Sequence, residues 1–319
     1  MAFPNVSDII ATTIQSRTRK IADNVTDNNG LLKALSLAGN IKTFSGGNQI
    51  YQELSFAEND NGGFYSGYDL LPVQASDVIT AAEFDIKQAA VPVVISGLEQ
   101  LQNSGKEALI DLMGARMKVA EATMANIIST ALYSDGTGTG GKEITGLDAA
   151  VPVDPTTGTY GGINRATWTF WRSKVTSGTY TSSNIQAAMN GAYAELVRGT
   201  DRPNLIIMDD VMWEMYVASL QAQQRFHQAE IGDLGFPTIK FMGTDVILDG
   251  GIGGAATTKT MYFLNTNYIN YRPHAGRNMV PLSPNRRYSV NQDAEVQILA
   301  WAGNLTSSGA QFQGRLIDD

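Results

Sequence analysis

Apolar residues along this chain recur at two periods, a three-to-four-residue step and strict alternation, and the switches between them mark the elements. Val6, Ile9, Ile10, Ile14 and Ile21 fall near helical spacing, with Arg17, Arg19 and Lys20 late, where cations suit the negative end of a helix. This predicts a short amphipathic helix over residues 5–21. The turn formers of "DNVTDNNG" then break it, and Leu31 to Leu37 adds one or two further turns before Gly39. Such an opening stretch is too small to fold alone, so its apolar faces are expected to rest on another body.

From Thr43 to Ile86 aromatic and polar residues alternate around "ENDNGGFYSG", which predicts two strands joined at a tip, a long hairpin. The hairpin holds no Lys or Arg, yet carries Glu53, Glu58, Asp60, Asp69, Asp77, Glu83 and Asp85. Acids without a base repel one another unless a cationic surface lies opposite; a solvated acidic loop is the plainer reading of the same residues. "KQAAVPVVISG" reads as a strand over residues 87–97. Ser104 and Glu107 then form a capping box, and Ala108, Leu109, Leu112, Ala115, Val119, Met124, Ile127, Ile128 and Leu132 follow at helical steps. A helix over residues 104–133 would be about 45 Å long, well beyond an ordinary domain helix.

Ser183 with Gln186 makes a second capping box, opening a helix through "NIQAAMNGAYAELVRG" that Gly199 ends. "RPNLIIMDD" reads as a buried strand and "DVMWEMYVASLQAQQRF" as a helix, followed by the strand "TDVILDG" and the loop "GGIGGAATT". Helices alternating with apolar strands make an α/β domain. The remainder is strand-rich: "KTMYFLNTNYINYRPHAG", a loop "RNMVPLSPNRRY", and "AEVQILAWAGNLTSSGAQFQGRLID".

Composition narrows the chemistry. At 319 residues, 43% hydrophobic and 17% charged, the chain can bury a substantial core and has room for two domains. The absence of cysteine removes disulfides and thiolate metal sites, and fits formation in a reducing cytoplasm. A net charge of -8 opposes binding to a phosphate backbone, which Lys and Arg must neutralise. No run approaches the length of a membrane span, and Pro4 and Asp8 interrupt the apolar core that a signal peptide needs.

Two stretches could carry nucleotide chemistry. In "SDGTGTGGKEITG", residues 134–146, Gly136, Gly141 and Lys142 reproduce the spacing of a phosphate-binding loop, and "LIIMDD" resembles the strand whose Asp holds magnesium. The context argues otherwise. A helix precedes the loop where a strand is required, Pro152 and Pro155 follow, and Glu143 sits where a hydroxyl should be. The loop reads as a glycine-rich connection, and Asp209 and Asp210 as helix-capping and dipole partners. His227 and His274 read as a helix-end residue and a turn residue.

The order of parts carries the remaining signal. Amphipathic arm, acidic hairpin, strand, very long helix, α/β domain and strands with a basic loop together resemble the major capsid proteins of tailed bacteriophages, with their Hong Kong 97 type fold. The stretches most similar to that family are "GLEQLQNSGKEALIDLMGARMKVAEATMANIIST" with "YSDGTGTGGKEITGL" after it, "KTMYFLNTNYINYRPH", and "VQILAWAGNLTSSGAQFQGRLID". The resemblance spans essentially the whole chain.

It implies an α+β fold with an N-terminal arm over residues 1–42 and an extended β-hairpin loop over 43–86. A peripheral domain would take 87–143 and 261–319, with its spine helix at 104–133, and an α/β axial domain 144–260. It also implies a mechanical role without catalysis or cofactor: hexamers and pentamers closing an icosahedral head around double-stranded DNA, formed in the bacterial cytoplasm and ending in the virion. The implied partners are other copies of the chain, a scaffolding protein, a portal protein and, on some shells, a decoration protein. Glu53, Glu58, Asp60, Asp69 and Asp77 of the hairpin would meet Arg277, Arg286 and Arg287 of a neighbouring copy. With no lysine between Thr43 and Ile86, the covalent cross-link of some members is not expected. With about forty residues before the hairpin, a built-in scaffolding segment is not expected either, so the scaffold would be separate. An encapsulin-like nanocompartment shell resembles the same fold and is the alternative; a P-loop ATPase is a remote one.

Overall fold

The structure is a computed structural model describing residues 29–70, 73–102, 106–221, 238–250, 254–282, 287–288 and 293–319. The expected helix over residues 5–21, Ser104 of the first capping box, His227 and Arg286 lie outside these residues.

Helix α1 spans Gly30–Leu37, and its N-terminus is closed by Asn29, whose side chain accepts from the Leu32 N–H at 3.0 Å. Its apolar stripe, Leu31, Leu32 and Leu35, is fully buried in the largest core of the chain, beside Ile247 and Tyr271. The later part of the expected arm therefore rests on its own chain. This corrects the expectation that its apolar face needs another body, and the reason is the match between a three-leucine stripe and the gap between two sheets. Residues 40–44 then run beside the strand at 269–273: Lys42 N–H donates to the Tyr271 carbonyl and Phe44 N–H to that of Pro273.

Strands β1 (Gln49–Ser55) and β2 (Ile79–Asp85) pair antiparallel from Gln49↔Asp85 to Ser55↔Ile79. Alternation sorts their side chains: Ile50, Leu54, Ala82 and Phe84 face inward, whereas Tyr51, Glu53, Glu83 and Asp85 face out. Strand pairing ends well short of the tip, so among the described residues the hairpin is a short ladder, with residues 56–70 and 73–78 outside it. The inward face packs on Ala150, Val151, Tyr160 and Trp171. Phe84 meets the Tyr160 ring edge-on at 5.2 Å, Trp171 Nε1 donates to the Tyr160 carbonyl, and Glu83 N–H donates to the Gly161 carbonyl.

Strand β3 (Lys87–Ser96) is followed by a short helical turn, Gly97–Gln102, and helix α2 then spans Lys106–Ala131. That turn opens with a capping box missed in the sequence reading: Glu99 N–H donates to Ser96 Oγ, and Ser96 N–H to Glu99 Oε2. Helix α2 is 26 residues, about 39 Å, and lays Met117 and Ala120 on Val93 and Ile95 of β3.

Next come β4 (Lys174–Gly178), α3 (Ile185–Leu196), β5 (Leu205–Met208), α4 (Asp210–Gln221), β6 (Thr238–Phe241), β7 (Thr244–Leu248) and β8 (Thr260–Leu264). The chain closes with β9 (Ile269–Pro273), β10 (Val280–Pro281), β11 (Arg287–Tyr288), β12 (Ala294–Ser307) and β13 (Gly314–Asp318). The second expected capping box does not form. Asn184, not Ser183, precedes α3, and Gln186 instead donates across to Ser219 of α4 at 3.1 Å. The helix ends at Leu196, ahead of Gly199.

One sheet runs β4-β13-β8-β5-β7-β6, with β13–β4 and β5–β7 parallel and the other neighbours antiparallel. Its central strands are buried on both faces, which explains their unbroken apolar runs. Leu205, Ile207, Tyr262 and Leu264 face α1 and the end of α2, while Ile206, Met208, Met261 and Phe263 face α3 and α4. The other sheet is built on β12, with β3 along ten of its residues and β9, β10 and β11 along the opposite edge. Among the described residues β3 pairs with no second strand, and Pro92 stands midway along it opposite Ile298.

Buried polar groups stitch these layers together. Asn304 of β12, with no exposure, accepts from the N–H of Thr145 and donates from Nδ2 to the Asp85 carbonyl at the β2–β3 corner. Arg315 of β13 reaches Asp148 at 2.8 Å and lies over the Tyr262 ring, whose hydroxyl donates to the same carboxylate. Burial, ahead of the nearby charges, pushes the Tyr262 hydroxyl far above its ordinary range.

Two outcomes follow for equilibrium unfolding in urea. Asp148→Ala leaves the Arg315 guanidinium buried without its counter-charge and is expected to cost about 3 kcal/mol or more, whereas Arg315→Met with Asp148→Leu recovers most of that loss. Gly161 has φ +57, and a Cβ there would lie 2.9 Å from Ala82 Cβ and 3.0 Å from the Phe84 ring. Gly161→Ala should cost about 2 kcal/mol and speed amide exchange at Ala82 and Phe84 more than in β12, while Gly158→Ala, in open space, costs about 1 kcal/mol.

Candidate interaction surface

The described residues of the loop between 56 and 78 include large apolar side chains that the rest of the described chain does not cover. Phe64 (111%), Tyr68 (105%), Leu70 (98%) and Val73 (92%) are as open as in an extended peptide, and Tyr65 is exposed beside them. Scattered apolar residues are ordinary on a surface; five on one protruding loop make a patch that marks an interface. The loop is nonetheless shaped locally. Asn61 N–H donates to Asn59 Oδ1, Gly62 N–H to the Asn59 carbonyl, Asn61 Nδ2 across the loop to the Gln74 carbonyl at 2.6 Å, and Ser66 N–H to Asp69 Oδ2.

The acids expected to meet a neighbour fall around this patch. Glu53, Glu58, Asp60, Asp69 and Asp77 are all exposed. Glu58 has a partner that the sequence reading did not find, Arg198, at 3.7 Å in the same chain; both side chains are largely in water, where such a pair contributes little. Arg277 is exposed at the β12 sheet, and its guanidinium donates to Gln88 Oε1 at 3.1 Å. Arg287 sits in β11 opposite Val296. Among the described residues no ion pair joins Arg277 to any of the five acids within the chain.

At the end of β3, Arg116 of α2 donates from Nη1 to the Val94 carbonyl and from Nη2 to Glu99 Oε1 at 2.6 Å. Hydrogen bonds from Arg116 first, and from the Ser96 N–H second, hold the Glu99 carboxyl below its usual range. The Ser-x-x-Glu signal was present at Ser96; the arginine, a helix away, was not readable. Behind α2 lies a groove of about 610 Å³ against β3, with Ile127, Ile128, Ala131 and Trp301 on its floor and Lys87 and Lys142 at its rim.

The glycine-rich loop forms no phosphate cradle, since α2 enters it and only a short turn at Leu147–Ala150 leaves it. Glu143 accepts from the hydroxyls of Ser134 and Thr139, and Lys87 Nζ donates to the Gly141 carbonyl. Asp209 is a buried cap: its Oδ1 accepts from the Met212 N–H, its Oδ2 from the Lys259 N–H, and burial raises its carboxyl above the ordinary range. His274 is a turn residue, its Nδ1 accepting from the Gly276 N–H and its ring meeting Phe44 edge-on at 5.0 Å.

No sequence family and no curated protein matches this chain in sequence. Solved structures do. A chain of the cyanophage A-1(L) capsid asymmetric unit superposes with a TM-score of 0.59 at 16% identity, covering 88% of this chain and 90% of that one. The capsid of an empty GTA particle gives 0.60 at 12% identity over 88% and 95% of the two chains. The capsid of Myoviridae phage XM1 gives 0.52 at 12% identity over 89% and 91%. At such identities the likeness is one of architecture, and it extends along nearly the whole chain: this protein has the Hong Kong 97 type fold of those capsid chains.

Proposed function

We propose that the chain is the shell subunit of a tailed-phage head, assembling as hexamers and pentamers into an icosahedral container for double-stranded DNA. The observation that carries the reading is the uncovered apolar tip of an anchored hairpin in a chain with this fold. Burying a large apolar side chain contributes about 1.5–3 kcal/mol, so five of them supply on the order of 10 kcal/mol. That is the scale of the freedom lost when two bodies associate. The tip is thus sized to hold a neighbouring copy, and its root on Tyr160 and Trp171 transmits the contact to the body of the subunit.

In this reading the hairpin is the extended loop and α2 the spine helix of a peripheral domain built on β12. The six-stranded sheet with α3 and α4 is the axial domain, with β8 and β13 joining it from the last sixty residues of the chain. Glu53, Asp60, Asp69 and Asp77 meet Arg277, Arg286 and Arg287 of an adjacent copy, and Glu58 exchanges its exposed Arg198 contact for one of these. A net charge of -8 lets packaged DNA slide along the inner wall without being gripped. The role is mechanical. Scaffolding and portal proteins guide closure in the host cytoplasm, and a decoration protein is an optional addition to the finished virion.

Negative-stain microscopy of the chain expressed with its scaffolding protein should show uniform closed shells. A compact monomer at every concentration overturns the reading, and particles from infected cells that hold protein cargo and no DNA favour the nanocompartment alternative. Replacing Phe64, Tyr68 and Leu70 together by Ser should abolish shells while leaving monomer unfolding within about 0.5 kcal/mol, because no described residue of the monomer covers those side chains. Arg277→Glu should reduce shell yield, and the loss should shrink when Asp69→Lys is added.

A further inference from the structure

Asparagine followed by glycine is the dipeptide most prone to lose its side-chain amide, because no side chain shields the next backbone nitrogen. The chain has three: Asn29-Gly30, Asn61-Gly62 and Asn190-Gly191. Sequence alone ranks them equally. The structure separates them by what must open before the nitrogen can reach the amide carbon.

Asn29 is buried to 2% exposure, its Oδ1 caps α1, and Gly30 is wedged against Ile247. Asn190 and Gly191 are exposed, but they lie inside α3, where the helical ladder fixes the backbone and engages each N–H with the carbonyl four residues back. Asn61 lies on the hairpin tip, outside any helix or strand, with exposed Gly62 and Gly63 after it. Three hydrogen bonds restrain it: Asn61 N–H to Asn59 Oδ1, Gly62 N–H to the Asn59 carbonyl, and Asn61 Nδ2 to the Gln74 carbonyl. Opening such a loop lies at the low end of the local-unfolding scale, whereas freeing Asn29 or Asn190 means disrupting a core helix cap or a packed helix.

We propose that Asn61 is a site of spontaneous deamidation that converts the hairpin tip from a clamped to an open form. The Gly62 nitrogen attacks Asn61 Cγ; the Cγ–Nδ2 bond breaks and Nδ2 departs as ammonia, carrying the proton lost by the Gly62 amide. Water then opens the five-membered imide at either carbonyl, leaving aspartate or isoaspartate. No oxidant or metal takes part. The change removes the donor that ties the two arms of the loop near its tip, Nδ2 to the Gln74 carbonyl, leaving the Phe56 N–H to Val78 carbonyl bond at the base, and sets a carboxylate facing the Gln74 carbonyl. It also adds an eighth acid to the seven of a hairpin that has no base. Both effects push the arms apart.

The test incubates the full chain at mildly alkaline pH and follows each asparagine by peptide mass spectrometry, where conversion adds about one dalton. Asn61 should convert about tenfold faster than Asn29 and Asn190, and unfolding the chain in urea should bring the three within about threefold of each other. A folded-state rate at Asn61 no greater than the other two overturns the proposal. Gly62→Val should slow conversion about tenfold by crowding the attacking nitrogen, and an unchanged rate overturns the chemistry. Asn61→Asp, made from the start, should be cut several-fold faster by a protease within residues 56–78; unchanged cutting overturns the clamp. None of these readouts depends on assembly, so they stand or fall apart from the shell reading.

Discussion

The hairpin can serve as an arm only because its root cannot move independently, and that follows from the rule that a buried polar group must find partners. Asn304 sits without exposure in the longest strand, and its carboxamide spends its hydrogen bonds on two other segments, the Thr145 amide and the Asp85 carbonyl. A single side chain therefore registers β12, the loop after the long helix and the corner where the hairpin leaves the sheet. Phe84, Tyr160 and Trp171 add packing around that corner, and Gly161 lets the backbone come close enough for the packing to close. A rigid root and an uncovered tip together make a lever rather than a loose loop.

Much of this order was legible in the sequence because it rests on periodicity. The long helix, the strand before it, the "LIIM" strand, the Asp209 cap and the acidic hairpin were each readable from spacing and turn residues. That a helix and not a strand leads into the glycine-rich loop was readable too. What failed depended on where segments meet. Leu31, Leu32 and Leu35 have the same pattern whether they bury against their own sheets or another copy. Ser183 and Gln186 have capping-box spacing, but Ser219 offered Gln186 a better partner across the helices.

The candidate surface divides in the same way. The excess of acids in the hairpin is a matter of composition and was visible at once. The pairing of Glu58 with Arg198, 140 residues later in the chain, depends on the fold bringing the α3–β5 loop under the tip, and no local signal announces it. Nor does spacing reveal that no described residue covers Phe64, Tyr68, Leu70 and Val73; alternation looks alike in a strand that packs and a loop that does not.

The outer edge of β3 bears on how this sheet can meet another strand. Val94 turns its carbonyl outward to Arg116, Ser96 turns its N–H outward to Glu99, and Pro92, in phase with both, has no N–H to present. Three of the backbone groups through which a stray strand could zip onto this sheet, between Pro92 and Ser96, are thus absent or already engaged. Under the proposed shell role, this would leave copies to meet through side chains rather than through strand edges.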